Sequence, residues 1–454
     1  MFYIVRVYNI DMTQEKALLI LKTGANVFLT GEPGSGKTHT INEYAAYLRD
    51  RGIEPAVTAS TGIAATHIGG MTIHSWSGIG IKKKLTKYDL NKIAKSGYIT
   101  KRVRRAKVLI IDEVSMLLPE TLSMVDAVCR EIKKNYEPFG GIQVVLVGDF
   151  FQLPPIICAS HRGASALRKE TEDNNQTPLI EESVGRFAYD SSAWTRANSI
   201  VCYLTEQYRQ DDKNYLAVLS AIRRNVFNDD HLNSIKARKI KSSVAPERAP
   251  KLFSHNIDVD RVNNEMLAKL SGESRAFEMF SQGAKPLVAS LKKNCLSPET
   301  LELKIGGAVM FTKNNLKEGF VNGTLGVVDG FDKNGGQPII KTRNGRRIKV
   351  LPMEWKMEEN GKIRARITQL PLRLAWAITV HKSQGMSLDE AVMDLSDVFE
   401  FGQGYVALSR VRRFSGLHLL GWNERAFQVD PEVLAKDESF RQASSDAETM
   451  FRGS

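Results

Sequence analysis

One segment limits the possible folds of this chain more than any other: Gly31-Glu32-Pro33-Gly34-Ser35-Gly36-Lys37-Thr38. It fits the pattern G-x-x-x-x-G-K-[ST], follows the apolar run Val27 to Thr30, and leads into a helical pattern from Thr38 to Arg49. The glycines let backbone N–H groups wrap a phosphate chain, and the start of the helix adds partial positive charge. The spacing predicts strand, phosphate loop and helix, in that order. Lys37 is expected to reach the β and γ phosphates of a nucleotide, and the Thr38 hydroxyl to ligate Mg²⁺. Gly31, Pro33, Gly34, Ser35, Gly36 and His39 complete the expected nucleotide contacts.

Three more short apolar runs read as buried strands: Val57 to Ala59, Val108 to Ile111 and Val144 to Val147. Strands alternating with helices predict an α/β fold with a parallel sheet covered on both faces. A second α/β pattern begins near Ser199. Between residues 305 and 367 the texture changes to short alternating strands with Asn-Gly pairs at 322–323, 334–335, 344–345 and 360–361. Asn-Gly supplies the positive φ angles of tight hairpins, so this reads as an antiparallel β insertion. Residues 160–184 read as a polar connection. From Ala435 on, the tail is polar, Ser-rich and helical or frayed.

Charge narrows the partner. The 454 residues hold 63 Lys and Arg against 51 Asp and Glu, a formal net charge of +12. That excess predicts a polyanionic partner, nucleic acid first. Ile81 to Lys107 alone carries eleven Lys or Arg and one acid, Asp89, a net +10. With 42% hydrophobic residues, the chain is neither a disordered acidic polymer nor, lacking any run of about 18 apolar residues, a membrane-spanning protein. Cys129, Cys158, Cys202 and Cys295 are too widely spaced for a zinc site and read as reduced thiols of a protein that is not secreted.

Further motifs carry the chemistry. Asp112-Glu113 follows the Val108 to Ile111 strand. Asp112 is placed to hold the Mg²⁺ shell, and Glu113 to orient or deprotonate an attacking water. Gln152, in Gly148-Asp149-Phe150-Phe151-Gln152-Leu153-Pro154-Pro155, is placed to sense a γ-phosphate, while Phe150 and Phe151 read as core. Arg209, in Glu206-Gln207-Tyr208-Arg209, and Arg410, in Ala407-Leu408-Ser409-Arg410, are candidate arginine fingers.

Taken in order, these pieces resemble the PIF-type DNA helicases of superfamily 1B over nearly the whole chain, from about Asn9 to Trp422. The resemblance also rests on Met12-Thr13-Gln14, on Thr58 to Ala65 followed by Gly69 to Trp76, on Pro138 to Leu146 running into the Gly148 segment, and on Thr379 to Asp389. It implies two RecA-like parallel-sheet domains with ATP between them. The first would cover 1–80 and 107–195, interrupted by a small basic wedge at 81–106. The second would cover 196–310 and 368–454, interrupted by an SH3-like β-barrel at 311–367. Gln14 would read adenine. Arg209 and Arg410 would contact the γ-phosphate. Thr61, Gly62, His74, Ser75, Trp76, His381, Lys382 and Ser383 would contact single-stranded DNA, with Trp76 offering a face for a base to stack on.

The resemblance further implies 5′-to-3′ movement driven by ATP and Mg²⁺. It implies action at duplex junctions and on G-quadruplex DNA, work in DNA repair, recombination and telomere maintenance, and a monomeric, cytoplasmic protein (nuclear in a eukaryote). With the chain starting almost at Gln14, neither a long regulatory extension nor a mitochondrial leader is expected. A protein-remodelling ATPase, a DNA-binding module with a vestigial ATPase and an RNA helicase are the rival readings. Lys37, Thr38, Asp112, Glu113, Gln152 and Arg410 together oppose the second. The residues leave the choice between DNA and RNA open, since that turns on the 2′-OH.

Overall fold

The computed structural model describes residues 12–68, 70–80, 82, 84–155, 185–208, 212–241, 246, 249–253, 256–315, 317–320, 322–333, 335–342, 345–359, 362–380, 383 and 387–451. The chain divides into two units. The first is Met1–Thr61, Gly70–Gln207 and Ala435–Ser454, and the second is Gly62–Gly69 and Tyr208–Leu434.

The first unit is built on six parallel strands: β1 (Val27–Gly31), β2 (Ala56–Ala59), β3 (Met71–Thr72), β4 (Val108–Asp112), β5 (Gln143–Val147) and β6 (Ile200–Leu204). Their order across the sheet is β3-β2-β4-β5-β1-β6. All five residues of β1 are buried, as expected of a central strand covered on both faces. Successive side chains alternate between the two faces. Val27 and Leu29 join Ile41, Tyr44 and Leu48 of the helix Lys37–Arg49 in one core. Phe28 meets Phe150, Trp194 and Phe440 in an aromatic cluster. Phe150 and Phe151 are therefore core residues, as their sequence context predicts.

Two boundaries differ from expectation. The strand Ile200–Leu204 pairs along its whole length with β1, from Val27↔Ile200 to Gly31↔Leu204, so it closes the first sheet and does not open the second. The helix Pro431–Phe451 also returns to the first unit from residue 435 on. Its Ser444 hydroxyl accepts the Tyr203 N–H of edge strand β6 at 2.9 Å. The Tyr203 hydroxyl donates to Asp437 at 3.0 Å and accepts from Arg441 at 2.6 Å. Residues 437, 440, 444 and 447 are buried and recur on one face at helical spacing, so the Ser-rich tail has a buried stripe that its polar composition hides.

The basic insertion is a pair of helices, Lys87–Ala94 and Gly97–Arg105. Thr86 and Asp89 form a reciprocal capping box at the start of the first. Leu90, Ile93, Ile99 and Val103 point inward, and both helices pack on the helix Pro119–Lys133. Lys87, Lys92, Lys95, Lys101 and Arg105 are exposed.

The second unit has a four-stranded parallel sheet in the order Ala377–Thr379, Lys251–Phe253, Ala391–Leu395, Leu417–Trp422. The β insertion is larger than residues 311–367. Its five-stranded antiparallel sheet also takes in Ala308–Phe311 and Leu372–Leu374, which pair with each other and reach outside those bounds in sequence. A separate three-stranded sheet adds Phe280–Gly283 to the hairpin Met353–Glu359 and Lys362–Gln369. Among the Asn-Gly pairs, Asn322-Gly323 is described, with Gly323 at φ 92°; the other three fall wholly or partly outside the described residues. Cys129 and Cys202 are fully buried, and burial pushes the Cys202 thiol up to about 12, which fits small apolar residues. Cys158 lies outside the described residues.

Candidate active site

The sheet order determines which loops meet. β4, β5 and β1 are neighbours, with Ile111 level with Leu146 and Val147 level with Leu29. Asp112, Gly148 and Gly31 therefore leave the sheet side by side at its carboxyl edge, where open α/β sheets bind ligands.

The phosphate loop is shaped by close approach. Gly31 has φ 144°, and a Cβ there would stand 2.7 Å from the Leu204 carbonyl oxygen. Gly36 has φ 88° and starts the helix Lys37–Arg49 with no side-chain cap, at the end where a helix's own bonds leave its first N–H groups unserved. A Cβ on Gly36 would collide with Gln14 Nε2. Gln14 Nε2 donates to the Ser35 carbonyl at 3.2 Å, which places the expected adenine reader against the loop. Lys37 Nζ donates to the carbonyls of Gly31 at 2.8 Å and Glu32 at 3.0 Å. Ser35 Oγ is buried and has no hydrogen-bond partner among the described residues, so the loop holds a hydroxyl ready for a ligand. Pro33 is buried, Gly34 has φ 93°, and Thr38 and His39 are exposed, with His39 beside Glu43 at 3.5 Å.

At the end of β4, Asp112 Oδ1 accepts the Glu113 N–H at 2.9 Å. Burial pushes the Asp112 carboxyl above the usual carboxylate range, while that N–H and the Lys37 charge pull it the other way. Glu113 has φ 53° and ψ 45°, a left-handed conformation that costs a non-glycine residue of order 1 kcal/mol or more. Backbone strain of this kind concentrates where a side chain must be aimed. Gly148 lets the end of β5 pass close by, since a Cβ there would meet Val114 Cγ1 at 3.0 Å. Gln152 is buried, and its Nε2 donates to Asp149 at 3.3 Å.

Thr38 and Asp112 would supply one hydroxyl and one carboxylate to a metal. No group of three or more His, Cys, Asp or Glu suited to a metal occurs among the described residues. Sparse protein ligation of this kind suits Mg²⁺, which keeps its waters and takes phosphate oxygens.

The other expected site residues have mixed outcomes. Arg410 is in the second unit, 1% exposed, with its Nε donated to the Val406 carbonyl and its Nη2 to Ser409 Oγ, each at 2.9 Å. Arg209, His381 and Lys382 lie outside the described residues. Ser383 is fully buried and its hydroxyl donates to the Val380 carbonyl at 2.7 Å. Thr61 is half-buried at the end of the first unit's opening segment, and Gly62 starts the helix Gly62–His67. His74 is half-buried, with burial lowering its imidazole below the usual value, and Ser75 is exposed.

Trp76 overturns its expected role. It is 2% exposed, so neither ring face is open to a base. Its helix, Ile73–Ser77, packs on the helix Pro119–Lys133, and its carbonyl accepts Arg102 Nη2 at 2.6 Å. The sequence motif marks the segment but not the direction in which the indole points.

Two residues of the Glu206-Gln207-Tyr208-Arg209 segment reach the loop, a role that the segment alone does not assign to them. Glu206 Oε2 accepts the Gln14 N–H at 2.8 Å, and Gln207 Nε2 donates to Glu32 Oε2 at 3.2 Å. Their separation from their partners in sequence left no local signal.

Known proteins share this arrangement. The PIF1-like helicase family matches residues 11–217, and the 2B domain of DNA helicase Pif1 matches residues 287–331. The ATP-dependent DNA helicase Pif1 of Psychrobacter sp. (strain PRwf-1) is 39% identical over 496 residues, covering 97% of this chain and 72% of that protein. A crystal structure of Bacteroides sp Pif1 in complex with ADP-AlF4 is 29% identical, with a TM-score of 0.80, over 95% of this chain and 97% of that one. Bacteroides Pif1 bound to ssDNA is 30% identical, with a TM-score of 0.65, over 94% of this chain and 95% of that one. With its RecA-like sheets, its phosphate loop and its β insertion, this chain belongs to the PIF1-like helicase family.

Proposed function

We propose that this chain is an ATP- and Mg²⁺-dependent DNA helicase that moves 5′ to 3′ on single-stranded DNA and separates duplex or structured DNA, G-quadruplexes included. The observation that carries the reading is the carboxyl edge of β4, β5 and β1, which brings the loop of Lys37 beside Asp112 and the turn that leads to Gln152. The Psychrobacter relative, named an ATP-dependent DNA helicase, and the Bacteroides Pif1 bound to ssDNA support the DNA partner.

In this reading Lys37 leaves the Gly31 and Glu32 carbonyls for the β and γ phosphates. Thr38 and Asp112 hold Mg²⁺, which supplies charge neutralisation at the phosphates. Glu113 orients the lytic water and takes its proton, Gln152 senses the γ-phosphate, and Arg209 and Arg410 stabilise charge on it. Thr61, Gly62, His74, Ser75, His381 and Lys382 remain DNA-contact proposals, and the exposed lysines of the basic insertion face the duplex junction. The working form is a monomer. No helix among the described residues is long and apolar enough to cross a membrane.

The test is strand separation with ATP and Mg²⁺ on duplexes carrying a 5′ tail, a 3′ tail or none, in DNA and RNA versions. Unwinding of the 5′-tailed DNA is expected. Unwinding of the 3′-tailed duplex alone would sink the polarity, and equal activity on RNA would remove the preference for DNA.

A further inference from the structure

Three segments distant in sequence converge on the phosphate loop. Glu206 accepts the Gln14 N–H at 2.8 Å across 192 residues of sequence. Gln14 Nε2 in turn donates to the Ser35 carbonyl at 3.2 Å. One residue past Glu206, Gln207 Nε2 donates to Glu32 of the loop at 3.2 Å. One residue before it, the Thr205 N–H donates to the Met12 carbonyl at 3.4 Å.

The helix Gln14–Lys22 explains why a carboxylate belongs here. The first turn of a helix leaves N–H groups without partners in the helix. The Thr13 hydroxyl takes the Lys16 N–H at 3.2 Å, and Glu206 takes that of Gln14. A negative charge at this end also meets the positive end of the helix dipole. Glu206 is thus a second cap, delivered by the segment that follows β6, and β6 lies directly beside β1 in the sheet.

We infer that Glu206 is a positioning residue for base recognition. It fixes where Gln14 stands over the phosphate loop, and so sets how strictly the site prefers adenine. A glutamine amide has two donor hydrogens and acceptor capacity on its oxygen, and one donor is used at Ser35. The remainder of that amide is what a purine edge meets, and it is placed only as well as the Gln14 backbone is placed. The inference rests on the proposed ATPase reading and on Gln14 as the base-contacting residue.

The experiment is steady-state hydrolysis of ATP and of GTP by the full chain with saturating single-stranded DNA. The variants are Gln14→Ala, Glu206→Ala, Glu206→Gln and the double Gln14→Ala/Glu206→Ala. Glu206→Ala is expected to raise KM for ATP about tenfold while kcat stays within about twofold, the pattern of lost binding rather than lost chemistry. The preference for ATP over GTP in kcat/KM falls with it. Glu206→Gln keeps an acceptor oxygen and restores most of the loss, and the double variant is no worse than Gln14→Ala. A fall in kcat at unchanged KM, equal losses for ATP and GTP, or a wild-type protein indifferent to the base would each overturn the inference. If Glu206→Ala does not fold, Glu206→Asp, which withdraws the carboxylate by one methylene, must show the same split. Absence of any hydrolysis by the wild type would instead sink the ATPase reading itself.

Discussion

The phosphate loop and the basic insertion are parts of one unit, yet they are built by opposite means. The loop hangs from a strand with no exposed residue, and its geometry is enforced by backbone approaches that only glycine permits. The insertion turns Leu90, Ile93, Ile99 and Val103 inward and presents exposed lysines and arginines outward. The first arrangement fixes atoms to within a fraction of an ångström, which chemistry on a phosphate requires. The second fixes only a field of charge, which suffices for a partner whose backbone repeats.

Substitutions in the two regions should therefore fail differently. Lys37→Ala is expected to give the largest effect, a fall of about 100-fold or more in DNA-stimulated ATP hydrolysis with little change in DNA affinity. Phosphate release and DNA-binding titrations check both halves. Replacing Lys92, Lys95 and Lys101 together by Ala should do the reverse. At fixed salt the affinity for a forked duplex drops by roughly tenfold, and the slope of log K against log salt falls by about 3, near 0.9 for each duplex phosphate contact. Basal hydrolysis without DNA is unchanged. An unaltered salt slope would mean that these lysines are merely solvated.

Arg102 plays a different part inside the insertion. Its guanidinium donates to the Ser75 carbonyl at 2.8 Å and to that of Trp76 at 2.6 Å, so it anchors the helices rather than the DNA. Arg102→Ala should cost about 1–3 kcal/mol of stability, read as a lower Tm, and leave the salt slope nearly intact. The smallest effect concerns pH. Burial holds the Asp112 carboxyl above the ordinary range, so it keeps its proton to a higher pH than a surface aspartate. Mg²⁺ needs the ionised form. At limiting Mg²⁺, hydrolysis should decline on the acid side at a pH above about 4, and added Mg²⁺ should move that limb downward. A limb that ignores Mg²⁺ would point to another group.

The same contrast explains what the sequence made legible. Lys37, Thr38, Asp112, Glu113 and Gln152 can be read because the chemistry restricts residue type and spacing together. The β1 and β4 strands are legible because burial of Val27–Leu29 and Val108–Ile111 leaves unbroken apolar runs. Trp76 was misread because a motif gives a residue's place in the chain but not the face it turns to. The Ile200–Leu204 strand was assigned to the wrong sheet because pairing with β1 spans more than 170 residues and leaves no local trace. The contact of Glu206 with Gln14 is illegible for the same reason. The tail after Ala435 hides its buried stripe under serines and charges, since Ser444 and Asp437 find their partner in Tyr203, far away in sequence.

That tail has a consequence for how the protein is made. The ATPase sheet exposes the N–H of Tyr203 on its outer edge until Ser444 arrives, and Phe440 completes the aromatic cluster around Phe28 and Phe150. Synthesis runs from the amino terminus, so the first unit to be translated must wait for the last helix. A nascent chain stalled after residue 430 should remain open to protease at β6, while one released after residue 451 should not. Completion of the motor's first half thereby reports that the second half has already been translated.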